Sequence, residues 1–229
     1  MRNKNRLHTI FLSLSAAALI AGCATPSAPQ GSGFLPDYSR LQAASAPKGD
    51  DRRAYVNPAF TPARYNAIKL DPIVYYPEPK ATADVSMNAL TQIRQEADQA
   101  LRKKLGEKIR LVDQAGPGVA HVRIAITAVG AETRSLKVYQ FVPVALALTG
   151  AKAVAQGGLP RDATIAIESH VTDSVSGELL YAAVRGGTGE RVLDPAQGKG
   201  GVQPASLRPL IDEWTTAVAN AAVRHVKGK

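Results

Sequence analysis

Glu168, His170 and Asp173 stand close together in the chain and are of types that transfer protons or hold metal ions. On a strand, alternation puts Glu168 and His170 on one face, where they could share a proton or an ion. A metal site needs a second histidine at ligand spacing, and His121 and His225 are far away in sequence, so no metal ligand is assigned. A serine hydrolase needs a nucleophile elbow of the form G-x-S-x-G, and the sequence has none. Two glycine clusters invite comparison with phosphate-binding loops. In the second, Gly198-Lys199-Gly200-Gly201, Gly200 stands where a P-loop needs Ser or Thr, and Leu193 where its first glycine belongs. The first, Gly186-Gly187-Thr188-Gly189, lacks the third glycine of a dinucleotide fingerprint. Both read as parts of one long loop over 186–201. Glu168 and His170 read as an exposed strand face, and no catalytic residue is assigned.

The remaining reactive group is the thiol of Cys23, the only cysteine. Arg2, Lys4 and Arg6 precede an uncharged, mostly apolar run over 10–20, the layout of an export signal and too short to span a bilayer as a helix. The run closes on Ile20-Ala21-Gly22-Cys23, which resembles a bacterial lipobox. The resemblance implies cleavage between Gly22 and Cys23, diacylglycerol on the thiol and an acyl chain on the new amino terminus. Each buried CH₂ contributes about 0.8 kcal/mol, so several acyl chains hold a protein where one would be marginal. No other cofactor is implied. Ala24 follows the cysteine where lipoproteins retained at the inner membrane of diderm bacteria typically carry Asp, which implies transport to the outer membrane, facing the periplasm.

With residues 1–22 removed, 25 basic residues face 19 acidic ones, a net charge of +6. The excess suits anionic envelope partners such as lipid head groups, lipopolysaccharide or cell-wall polymer. Nucleic acid is excluded as a partner, because an exported, anchored chain does not meet it and no aromatic-rich basic motif appears. A mature chain without a free thiol has no disulfide, thiolate metal site or cysteine nucleophile.

The positioning elements follow from periodicity. Residues 23–33 are a lipidated cysteine and a Pro-, Ser-, Gly- and Ala-rich tether. Residues 34–229 form one domain that opens with an extended lead-in over 34–61. A strand is expected over 67–76, with Ile68, Leu70, Val74 and Tyr76 on one side and Pro72 marking an edge or a bulge. A helix over 84–105 follows, capped by Asp84 or Thr82 and ended by Gly106, with Met87, Leu90, Ile93, Ala97, Leu101 and Leu105 inward. Val122, Ile124 and Ile126 alternate with His121, Arg123 and Ala125 as a half-buried strand does. A hairpin over 163–185 turns at 173–177, and a last helix over 206–226 carries Leu207, Leu210, Trp214, Val218 and Ala221 on one stripe. The fold class is α+β, a mostly antiparallel sheet packed by two helices.

The blocks GFLPDYSRL at 33–41, YNAIKLDPIVY at 65–75, RIAIT at 123–127 and IESHVTDSVSGELLYAAV at 167–184 resemble the bacterial lipoprotein family catalogued as domain of unknown function 3313. The resemblance covers nearly the whole mature chain and implies no biochemical activity. Members usually carry a tryptophan shortly after the DYS block; this chain has Tyr55 there, and no binding role is given to it.

One stretch stands apart, VYQFVPVALALTG at 138–150, which with Ala151 makes 14 uncharged residues. It is too short to span as a helix and suits a core segment. The sharper reading places Phe141, Val144, Leu146 and Leu148 against a partner or the leaflet beside the anchor. The function expected is a non-catalytic binding or structural module of the envelope, anchored to the membrane and meeting an envelope protein or the cell wall. The alternatives are an envelope or cell-wall hydrolase, and a homo-oligomer assembled at the membrane through residues 138–158.

Overall fold

A computed structural model describes residues 31–45, 51–132, 161–192 and 201–229. A seven-stranded sheet carries two helices on one face. The elements run β1 (Gln42–Ala43), β2 (Asp51–Val56), β3 (Ala67–Leu70), β4 (Val74–Tyr75), α1 (Met87–Lys108), β5 (Val119–Glu132), β6 (Arg161–Asp173), β7 (Leu179–Val192) and α2 (Pro204–Ala222). The sheet order is β1-β2-β7-β6-β5-β3, with β4 also paired to β5. All pairings are antiparallel except those of β3 and β4 with β5.

The helix-side face of the sheet alternates as the sequence predicts. Ala120, Val122, Ile124 and Ile126 of β5 enter the main core with Ile165 and Val171 of β6, against Leu90, Ile93, Leu101, Leu207 and Trp214 of the helices. A bulge after Ile126 shifts the register by one residue, so that Val129 and Ala131 continue the inward series.

Several expectations are changed by the structure, among them the last helix, which runs Pro204–Ala222 rather than over 206–226. The strand at 67–76 is broken at Asp71-Pro72, because proline has no N–H to give the ladder. The break resets the alternation: Ile73 is buried, while Val74 and Tyr76 are exposed. Pro72 does stand on the sheet edge, in the link between two short strands. The cap of α1 is Ser86, whose hydroxyl accepts from the Ala89 N–H at 3.1 Å. Thr82 instead bonds the N–H groups of Asp84 and Val85, and Asp84 takes a bidentate pair with Arg161. The helix continues through Gly106 to Lys108, and Met87 is exposed.

The lead-in is not merely extended, since β2 pairs with β7 along its whole length, from Asp51↔Gly186 to Val56↔Tyr181. Nor is the region from Gly186 a loop at its start, because β7 runs on to Val192. A Cβ on Gly189 would lie 2.4 Å from the Ser206 carbonyl oxygen, so glycine there lets the strand meet the start of α2. In α2, Ile211 and Ala219 are buried beside Leu207, Leu210 and Trp214, while Val218 is exposed.

Candidate functional site: the strapped face of the sheet

The face of the sheet away from the helices has its own apolar cluster. Leu35 and Leu41 pack on Ala182 and Val184 of β7, joined by Phe34, Tyr38, Tyr55 and Leu179. Residues 31–41 thus lie as a strap across the sheet, and the GFLPDYS block is what fastens it. The Tyr38 phenol donates to Glu168 Oε2 at 2.6 Å and accepts from the N–H groups of Gly33 and Leu35. Glu168 Oε1 accepts from the Ser32 N–H at 3.0 Å. Burial, and then the neighbouring Glu168 carboxylate, raise the Tyr38 pKa, so the phenol stays protonated as a donor. The strap leaves no room for a side chain at Gly31, where a Cβ would fall 1.9 Å from the Tyr38 ring.

Beside the strap lies a basic and aromatic neighbourhood. Arg123 of β5 is directly opposite His170 of β6. Its guanidinium stands 5.4 Å from the Phe34 ring centre, and Phe34 in turn is 5.8 Å from Tyr76. His121 Nε2 is 2.9 Å from Asp71 Oδ2 but off the line of a hydrogen bond, so the contact is an ion pair when the imidazole is charged. Burial raises the Asp71 pKa, yet His121 and Lys69 outweigh it and hold the carboxyl below the usual range. Desolvation lowers the His170 pKa, helped by Arg123 and His121, so His170 is neutral at pH 7.

The cluster considered for chemistry therefore divides. Glu168 and His170 do share a face, but Glu168 is 2% exposed rather than solvated, because the strap covers it. Asp173 sits in the hairpin turn, where Oδ1 accepts from the N–H groups of Val175 and Ser176 and Oδ2 from the Tyr65 hydroxyl at 3.0 Å. Those bonds, led by the one from Ser176, hold its pKa low. Two of the three groups are thus engaged in maintaining the fold. Among the described residues no three His, Cys, Asp or Glu side chains are placed to hold a metal. No described helix is long and apolar enough to cross a membrane.

Tyr38 and Tyr65 are the positioning residues that periodicity does not reveal, since neither belongs to a regular element. The signal available for Tyr38 was its place in the GFLPDYS block. Gly22, Cys23, Phe141, Val144, Leu146 and Leu148 lie outside the described residues, as do residues 193–200 with Gly198, Lys199 and Gly200.

These features define a two-layer α+β domain with a strapped outer face. The family model described as "Protein of unknown function (DUF3313)" matches residues 30–218, and the chain belongs to that family. The match begins one residue before the strap and ends within α2. The chain is also 30% identical over 180 residues to a protein of Escherichia coli strain K12 named uncharacterized lipoprotein YdcL, covering 78% of this chain and 81% of that one. YdcL of E. coli O157:H7 matches to the same extent. Among solved structures, a PelC dodecamer from Paraburkholderia phytofirmans overlaps with a TM-score of 0.40 at 13% identity, over 78% of this chain and 98% of that one.

Proposed function

We propose that this protein is a lipid-anchored lipoprotein of the bacterial envelope, whose domain acts as a non-catalytic binding or structural module on the periplasmic side of the outer membrane. The lipobox-like Ile20-Ala21-Gly22-Cys23 supports the anchor, and a relative at 30% identity bears the name lipoprotein. The observation that carries the module reading is the pinned strap. The segment that follows the tether is fastened to the sheet by Tyr38 and Glu168, so a domain on such an anchor is held by its own sheet. The acids a hydrolase would draw on, Glu168 and Asp173, are occupied in hydrogen bonds that hold the strap and the hairpin turn.

Replacing the thiol tests the anchor. Cys23→Ala is expected to abolish incorporation of labelled fatty acid and to move the protein out of the membrane fraction, whereas unchanged labelling rejects the anchor. Ala24→Asp tests the sorting. It is expected to shift the acylated protein from the outer- to the inner-membrane fraction on a density gradient, and an unshifted distribution rejects sorting by that residue.

A further inference from the structure

The strap places the first described residues on the outer face of the sheet. Ser32 is bonded to Glu168 within the outer sheet face, and Gly31 before it lies against the Tyr38 ring. Seven residues, 24–30, separate Cys23 from Gly31, which makes eight Cα–Cα steps. Such a length spans at most about 29 Å when stretched and about 16 Å on average as a flexible coil. To turn the helices toward the bilayer, the tether would have to climb two layers, about 20 Å from sheet spacing and helix width, and round a sheet edge as well. It would be nearly taut, at a large cost in chain entropy. The relaxed arrangement turns the strapped face to the membrane.

That face has matching chemistry. Arg123 is exposed and has no carboxylate partner among the described residues, its contact being the Phe34 ring. Phe34 and the exposed Tyr76 stand beside it, and aromatic rings favour the depth of lipid head groups. The nearby acids are covered or paired: Glu168 lies under the strap, Asp71 is held by His121 and Lys69, and Asp37 lies 3.9 Å from Arg40.

We propose that the strapped face, with Arg123 of β5 and the neighbouring Phe34 and Tyr76, lies against the membrane that holds the anchor and takes the phosphate groups of its lipids. The planar guanidinium fits a phosphate with two parallel hydrogen bonds. The inference rests on acylation at Cys23, and the test separates the two.

The acylated full-length protein is reconstituted into vesicles of phosphatidylethanolamine and phosphatidylglycerol whose acyl chains carry bromine near the head group. Tyr76→Trp and Phe34→Trp serve as two independent reporters on the strapped face, and Val218→Trp reports from the opposite layer. Added fluorescence should be quenched at the first two positions and not at the third, and Arg123→Glu should reduce the face-on population about fivefold. Equal quenching on both faces, no quenching at all, or indifference to Arg123→Glu overturns the orientation. Mass spectrometry of the same sample reads Cys23. A chain without acyl groups defeats the anchor and the orientation with it, while an acylated chain with unquenched reporters defeats the orientation alone.

Discussion

Glu168 accepts from two donors that come from a segment at least 130 residues earlier, Ser32 and Tyr38. A buried carboxyl group loses its water partners at a cost unless such donors replace them, so strap and acid depend on each other. Tyr38→Phe and Glu168→Gln are each expected to cost about 1–3 kcal/mol in urea denaturation. Because both variants alter the same bond, the double variant should cost clearly less than the sum of the two, and strict additivity would show that the pair does not act as a unit. The sequence places Glu168 and His170 on one face through simple alternation. It does not show the face to be covered, since the covering residues belong to no periodic element.

The elements were legible to the degree that their own residues pay attention to one neighbour. Helix α1 is amphipathic by itself, and its buried series Leu90, Ile93, Ala97, Leu101 and Leu105 was readable from spacing. Strand β2, DRRAYV, has no clean alternation and becomes a strand because β7 offers it an edge. Gly189 of β7 reads as part of a loop for a related reason, because the space it saves belongs to α2. Gly189→Ala is accordingly expected to destabilise the fold by about 1–3 kcal/mol, since the new methyl meets the Ser206 carbonyl, which is backbone. Gly116→Ala is the control: a Cβ there has nothing within 4 Å, and its cost should stay within about 0.5 kcal/mol. Similar unfolding midpoints for the two variants would refute the close approach of strand and helix.

At the scale of the whole molecule, the hairpin turn and Tyr65 couple stability to pH at both ends of the range. Asp173 has a folded-state pKa below its ordinary value, because backbone N–H groups and Tyr65 bond its charged form. Its contribution is present above pH about 4 and is lost as pH falls through the lowered value. Burial first, and then Asp173, push Tyr65 up to about 12. The unfolded chain ionises this phenol at about 10, so its contribution is complete below that pH and is lost as pH rises toward 12. Asp173→Asn should flatten the acid limb of a stability profile and Tyr65→Phe the alkaline limb; limbs unchanged from the parent would remove these residues as their source. By itself the sequence determined the α+β class, most of the inward stripe of each helix and the alternation of the central strands. These are local properties, set by residue type and spacing along one stretch of chain. Only the tertiary structure decided that the GFLPDYS block is a strap, that Glu168 is its buried acceptor, that β2 is a strand and that Gly189 is a contact point. Each of those depends on a partner more than fifteen residues away, and periodicity carries no record of where such a partner will be.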